Sequence, residues 1–521
     1  MMTRLAKTIM VQGTASNVGK SVITTALCRI LKRRGFRVAP FKAQNMSNNS
    51  IVTKEGGEIG TAQAVQAYAC GLEPSVWMNP ILLKPNSDMS AQVIVLGKVW
   101  ANTSAKEYQQ KKLELEKYVK EALDKLRQEF DIVVIEGAGS PAEINLKQHD
   151  IVNMAVAKSV SAPVILVADI DCGGVFAQII GTFDLLENEE KDLLKAFVIN
   201  KFRGDKDILM PGIRWIEEKI NRRSLGIVPL IPHLNISQED AVVLEKDKGP
   251  KGALSEKNAD GLQKLLIQVV HLPRISNFTD FEALAREQDV ILEYVDRPNR
   301  HRIPDLLIIP GTKNTAADLE FLKESGFVDH IHRCRQAGVN VLGICGGYQM
   351  LGVRIEDDAQ VESHRTSIEG LGLLPMATTF YPNKTTVQVK AIHPESQCLL
   401  EGYEIHMGQT HNLKAQEPFF KITQRQGESC NEEEGYFASF QDAAGQSSFV
   451  AGTYIHGLFD LPSFRRYFLD HLRHLAGLPV VNTNTVKTAS NVVEDYDRLA
   501  DEVEKNIDLK LLGEILGEKL V

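Results

Sequence analysis

Short apolar blocks alternate with longer amphipathic stretches from the start of the chain. Blocks at 8–12, 37–41, 132–136, 164–169, 196–200 and 224–228 are rich in β-branched residues. Several carry no polar alternation, the pattern of parallel strands buried on both faces. Between them, the stretch 106–130 spaces Leu115, Tyr118, Val119, Ala122, Leu123 and Leu126 at i, i+3, i+4 and predicts a helix with one buried face. Strand–helix alternation of this kind predicts a doubly wound α/β domain over residues 1–240. From 241 to 262 the chain turns polar, with glycine and proline, and reads as a linker. A second series of blocks, 267–272, 290–294, 305–310, 339–344 and 449–456, predicts another α/β domain over 263–480. In the remaining 481–521, Val492, Tyr496, Leu499, Val503 and Ile507 line one side of a tail helix expected to dock on the body. The fold class expected is therefore α/β, with two doubly wound domains.

Composition adds exclusions. With 43% hydrophobic and 24% charged residues over 521 positions, disorder of the whole chain is ruled out. A net charge of −8 argues against nucleic-acid binding and leaves room only for a local basic site. The seven cysteines are odd in number, scattered and without a CxxC pair, which is thiol usage of a reducing compartment. No signal-like core and no run of 18 uncharged apolar residues occurs, so the expected location is the cytoplasm, with no membrane partner.

The first block runs into Gly13-Thr14-Ala15-Ser16-Asn17-Val18-Gly19-Lys20-Ser21, followed by a helical stretch. Strand, glycine loop and helix in that order make a P-loop. Glycines let backbone N–H groups wrap phosphate oxygens, and the helix N-terminus adds partial positive charge. Lys20 is expected to neutralise the β- and γ-phosphates of ATP and Ser21 to ligate Mg²⁺, with Thr14, Asn17 and Val18 lining the nucleotide. Five residues rather than four separate the two glycines, so the plain motif is not met. The longer loop resembles the dethiobiotin-synthetase-like branch of P-loop proteins. That resemblance implies that Lys42 reaches the transferred phosphate, that Glu136 sits beside Mg²⁺, and that Asn200 reads the adenine. Taken alone, Lys42 and Glu136 also fit strand-end surface charges, and Asn200 a turn residue.

In the second half, Gly343-Ile344-Cys345-Gly346-Gly347 follows an apolar run and precedes a helical stretch. This is a nucleophile elbow with cysteine at its tip. The helix dipole and a nearby histidine lower a thiol pKa from its ordinary value of about 8.5. The N–H of Gly346 and that of Gly311, in the Pro310-Gly311-Thr312 turn, are expected to form the oxyanion hole. His456, ending a β-patterned block before Gly457, is the expected base. Read singly, Cys345 also fits a buried small hydrophobe and His456 a core histidine. An elbow cysteine with a later strand-end histidine resembles the class I glutamine amidotransferase domain. That family carries a glutamate two residues past the histidine, where this chain has Leu458. Either a Cys–His dyad or an acid from elsewhere follows.

Longer strings extend the likeness: Lys42-Ala-Gln-Asn-Met-Ser-Asn-Asn-Ser50, Glu136-Gly-Ala-Gly-Ser-Pro-Ala-Glu-Ile-Asn-Leu146, Gly402-Tyr-Glu-Ile-His-Met-Gly408 and Thr453-Tyr-Ile-His-Gly-Leu-Phe-Asp460. From about residue 7 to 480 the chain resembles the cobyric acid synthase family. The resemblance implies a glutamine-hydrolysing carbon–nitrogen ligase that uses ATP. It would amidate four peripheral carboxylates (b, d, e and g) of adenosylcobyrinic acid a,c-diamide, giving adenosylcobyric acid in cobalamin biosynthesis. The partner implied is this small-molecule corrinoid. Asp150 is implied near an acyl-phosphate site, with Glu143 and Asn145 as weaker corrin contacts. Cys172 stands where the family has an arginine, in Asp169-Ile-Asp-Cys-Gly-Gly-Val-Phe176. Two readings compete: cobyrinic acid a,c-diamide synthase, with the same domain types, and a MinD/ParA-like regulatory ATPase whose second domain only binds.

Overall fold

A computed structural model describes residues 5–520 except 88, 233, 235, 237–262, 300, 301, 416, 442–446 and 482–491. The linker expected at 241–262 lies outside the described residues. Two compact units emerge: Met1–Ser47, Glu58–Ser237 and Ser490–Val521 form one, Asn48–Gly57 and Gln238–Ala489 the other.

The first unit is built on six parallel strands in the order Arg223–Pro229, Leu194–Phe202, Val164–Asp169, Lys7–Gly13, Ile132–Glu136 and Val38–Phe41. Alternate residues of each strand enter opposite cores: Met10, Phe41, Val133 and Leu166 on one face, Ile9, Val38, Val134 and Ile165 on the other. Helices cover both faces, which explains why these strands read as unbroken apolar runs. The helix expected over 106–130 is instead two helices, Ala105–Lys111 and Glu116–Glu129, joined by the 3₁₀ turn Lys112–Leu115. A 3₁₀ turn aligns positions three apart, and here it turns Lys112 and Leu115 inward together. A four-stranded sheet, Gln44–Met46, Ile81–Ser87, Ser90–Val95 and Lys98–Ser104, has no counterpart in the apolar pattern. Its last strand is largely unburied, so it carries no apolar run. The tail forms two helices, Val492–Glu504 and Leu509–Leu516, packed in the same core as the helix Lys20–Arg33. Ile507 lies past the first of them, in a bridge to Gly226.

The second unit has parallel strands in the order Val290–Val295, Leu265–Val270, Leu306–Ile309, Asn340–Ile344 and Ser447–Thr453, with Tyr436–Gln441 antiparallel at the edge. A further sheet contains the long antiparallel pair Met376–Ile392 and Leu399–Asn412. Residues 48–57, from within the first half of the sequence, belong here. The Ser50 N–H donates to Asn277 Oδ1 at 3.0 Å, and Asn49 Oδ1 accepts from the Phe278 N–H at 3.2 Å. Among the described residues, no helix is long and apolar enough to cross a membrane.

Candidate active sites

In the first unit the glycine loop joins the strand Lys7–Gly13 to the helix Lys20–Arg33. Its path leaves no room for a side chain at Gly13, where a Cβ would lie 2.6 Å from Val18 Cγ2 and 2.9 Å from the Ala15 carbonyl oxygen. Gly19 adopts φ +96°, open to glycine and strained for other residues. Thr14 anchors the loop through its N–H to the Val167 carbonyl at 3.0 Å and its hydroxyl to Gln178 at 3.1 Å. Lys20 is buried, and its ammonium donates to the carbonyls of Ala15 at 3.1 Å and Gly139 at 3.0 Å.

Glu136 gathers the expected partners around one carboxylate. Its Oε1 accepts from the Ser21 hydroxyl at 2.9 Å and from Lys42 at 3.0 Å; its Oε2 accepts from Gln66 at 2.5 Å. Burial pushes this carboxyl up, but Lys42, Gln66 and Lys20 together hold it below its ordinary value. Gln66, on the helix Thr61–Ala69, was not singled out in the sequence because glutamine in an Ala-rich helix carries no motif.

Asn200 lies against Gly19 and donates to the Val18 carbonyl at 2.9 Å, so its amide group braces the loop from beneath. Asn17, also at positive φ, accepts from Lys201 at 2.7 Å, and Lys201 is paired with Asp169 at 2.6 Å. Cys172 is exposed beside the same Asp169, at 3.6 Å. Lys201 thus brings a cation to this edge of the loop. Both carboxylate oxygens of Asp150 accept from backbone N–H groups, those of Val152 at 2.8 Å, Asn153 at 2.9 Å and Ala155 at 2.9 Å. They set the start of the helix Met154–Ser159. Asn153 in turn pairs both ways with Ala138, fixing the loop that follows Glu136. Glu143 and Asn145 are exposed on that loop.

In the second unit Cys345 sits at φ +51° and ψ −109°, the strained tip of an elbow between the strand Asn340–Ile344 and the helix Gly346–Leu351. Glycines make the turn possible. A Cβ on Gly343 would lie 2.7 Å from the Gly347 carbonyl, and one on Gly347 would collide with the Ile309 carbonyl. Gly311 and Gly346 both border the site. A Cβ on Gly311 would be 3.2 Å from His456 Cε1, and one on Gly346 3.2 Å from the Thr312 nitrogen. Cys345 is 5% exposed, and its thiol donates to the Ile405 carbonyl at 3.4 Å.

His456 is buried, and its Nδ1 meets Asp280 Oδ2 at 2.8 Å. The other oxygen, Asp280 Oδ1, accepts from the Gly457 N–H at 2.9 Å. Burial would push the imidazole pKa down. The Asp280 carboxylate and the hydrogen bond with Cys345 outweigh it and raise that pKa to about 10. Leu458, at the position of the family glutamate, is instead a core residue. Asp280 comes from the 3₁₀ turn Phe278–Phe281, 176 residues before the histidine. The one signal available for it was its position shortly after the first strand of an α/β domain, where such folds gather site residues.

Residues 9–243 match the family described as "CobQ/CobB/MinD/ParA nucleotide binding domain". Residues 266–464 match "CobB/CobQ-like glutamine amidotransferase domain". Over 522 residues the chain is 48% identical to a cobyric acid synthase of Dehalococcoides mccartyi, covering 99% of each. It is 46% identical to one of Clostridium kluyveri, covering 98% of each. To one of Streptococcus sanguinis it is 46% identical, covering 99% of this chain and all of that one.

Proposed function

The chain belongs to the cobyric acid synthase family, and from that premise we propose that its two sites perform one coupled reaction, the glutamine- and ATP-dependent amidation of a corrinoid's carboxylates. It is a glutamine-hydrolysing ligase of cobalamin biosynthesis. The finer assignment is amidation of the b, d, e and g carboxylates of adenosylcobyrinic acid a,c-diamide. The observation that carries the reading is the Cys345–His456–Asp280 arrangement in a chain that also joins Ser21, Lys42 and Glu136 behind a P-loop.

A carboxylate resists ammonia because oxide is a poor leaving group. In the first unit, backbone N–H groups of Gly13–Lys20 cradle the ATP phosphates, and Lys20 leaves its carbonyl partners for the β/γ-phosphates. Lys42 would balance charge on the transferred phosphoryl group. The corrinoid carboxylate attacks the γ-phosphorus and ADP departs, leaving an acyl phosphate. The Ser21 hydroxyl and the Glu136 carboxylate meet at 2.9 Å. Both offer hard oxygen donors, so these two residues would hold a Mg²⁺ ion. Such an ion would screen the phosphate charge and orient the γ-phosphoryl group.

In the second unit, His456 takes the Cys345 proton and Asp280 stabilises the imidazolium that results. The thiolate attacks the glutamine amide carbon, while the N–H groups of Gly311 and Gly346 face the developing oxyanion. The tetrahedral intermediate collapses to a thioester and ammonia, with the proton returned from His456; water then releases glutamate. Ammonia displaces phosphate from the acyl phosphate to give the amide.

Cys345→Ala is expected to abolish glutamine hydrolysis while ammonium chloride still supports ATP-dependent amidation of the a,c-diamide. Mass spectrometry of the products resolves each amidation. Four steps separate this assignment from the cobyrinic acid a,c-diamide synthase reading, and glutamine hydrolysis at the normal rate in Cys345→Ala would refute the nucleophile.

A further inference from the structure

We propose that Tyr403 is a positioning residue for His456, its ring holding the plane of the imidazole and stabilising the imidazolium formed as Cys345 is deprotonated. This rests on the reading of Cys345 and His456 given above. The string Gly402–Gly408 lies on the strand Leu399–Asn412, and none of its side chains enters the mechanism so far.

Residues 403 and 456 are joined as an antiparallel bridge. The Tyr403 N–H donates to the His456 carbonyl at 3.2 Å, and the His456 N–H to the Tyr403 carbonyl at 2.8 Å. A Cβ on Gly402 would collide with that His456 carbonyl, so only glycine lets the strand come this close. The two rings stack with centroids 5.4 Å apart and planes at 22°. On the same strand, the Ile405 carbonyl accepts from the Cys345 thiol at 3.4 Å. One strand therefore touches both reacting residues.

Asp280 holds the imidazole at Nδ1 and Cys345 hydrogen-bonds it as well, but a ring held only at its edge can still tilt about those contacts. A flat aromatic face blocks the tilt, keeping Nε2 in its working direction. The face of tyrosine is also electron-rich and attracts a cation within about 6 Å of its centroid. The charged groups facing His456 are Asp280 from the Phe278–Phe281 turn and Cys345 from the elbow. Asp280, Glu282, Arg286 and Arg465 in turn act on the buried Asp460. Burial and Asp280 push the Asp460 carboxyl up to about 7, so the comparison must leave these groups untouched and vary only position 403.

The test is the pH profile of kcat/KM for glutamine hydrolysis by the full chain. It compares wild type, Tyr403→Phe, Tyr403→Leu and a chain with 3,4,5-trifluorophenylalanine at position 403, whose ring keeps its shape but has little negative face. Tyr403→Phe is expected to retain the wild-type bell. Losing the cation–ring attraction lowers the pH at which imidazolium is lost, while the acid limb, which starts and ends with imidazolium, keeps its place. The trifluorinated chain should therefore narrow the bell by about half a unit, on its alkaline limb alone. Tyr403→Leu should narrow it at least as much and lower kcat about tenfold at unchanged KM. A bell of unchanged width in the trifluorinated chain overturns the inference, even where Tyr403→Leu fails to fold. His456→Ala separates the two layers. Normal glutamine hydrolysis in that variant refutes the base itself; an inactive His456→Ala beside an unshifted trifluorinated chain refutes the stacking role alone.

Discussion

Asp280 adds a carboxylate to the proposed Cys345–His456 pair with both oxygens committed, one to the imidazole and one to the Gly457 N–H. Such double anchoring fixes which ring nitrogen carries the proton, because Nδ1–H must face the carboxylate and Nε2 is left for the thiol. Asp280→Asn should lower kcat for glutamine hydrolysis by about 10²–10⁴-fold with a much smaller change in KM. The same substitution should alter stability. The His456 pKa is raised from 6.5 to about 10, so its contribution is fully present below pH 6.5 and is lost as pH rises through 10. Calorimetric midpoints should fall across that window in the wild type and stay flatter in Asp280→Asn; parallel curves would show that the carboxylate does not hold the imidazolium. The proposed pair, Cys345 and His456, is suggested by local strings in the sequence. Asp280 is not, because a hydrogen bond between residues 176 positions apart leaves no spacing in the chain.

At the scale of elements, the functional groups depend on short segments that carry no chemistry of their own. The turn bearing Asp280 is held by residues 48–57: the Asn49 carboxamide accepts from the buried Phe278 N–H, and Asn277 accepts from Ser50. Leaving one such buried N–H unpaired costs about 1–3 kcal/mol. Asn49→Ala should therefore slow glutamine hydrolysis about tenfold or more through displacement of Asp280, leaving the affinity for ATP unchanged. A steady-state assay beside nucleotide titration checks both, and full glutaminase activity would mean the turn holds itself. Most strands were predictable to within two residues, since parallel strands buried on both faces are apolar throughout. The helical stretch 106–130 was harder: its periodicity persists through Lys112–Leu115, where a tighter 3₁₀ turn takes over. The strand Leu399–Asn412 also escaped, because it mixes Glu404 and His406 with apolar neighbours.

Over the whole molecule, chain order and structural membership part company. The tail lies beyond the glutaminase unit in sequence, yet its helices complete the nucleotide-binding unit. Leu499, Val503, Leu511, Leu512, Leu516 and Leu520 enter the core behind the P-loop helix, and Arg29 pairs with Asp497 at 2.8 Å and Arg34 with Glu504 at 2.6 Å. Six aliphatic side chains at about 1.5–3 kcal/mol each amount to as much as the entire stability of a typical domain, about 5–15 kcal/mol. A chain ending at residue 480 should lose the ATP-induced rise in thermal midpoint; retention of that shift would show the tail to be dispensable. The sequence by itself determined the α/β class, the P-loop and the cysteine elbow, because each is written in contiguous residues whose backbone demands are local. Tertiary structure alone decided that Asp280 orients His456, that Gln66 meets Glu136 from 70 residues away, and that the tail belongs with the first unit. Those are encounters between distant parts of the chain, made only when packing closes the cores and brings their polar groups within hydrogen-bond reach.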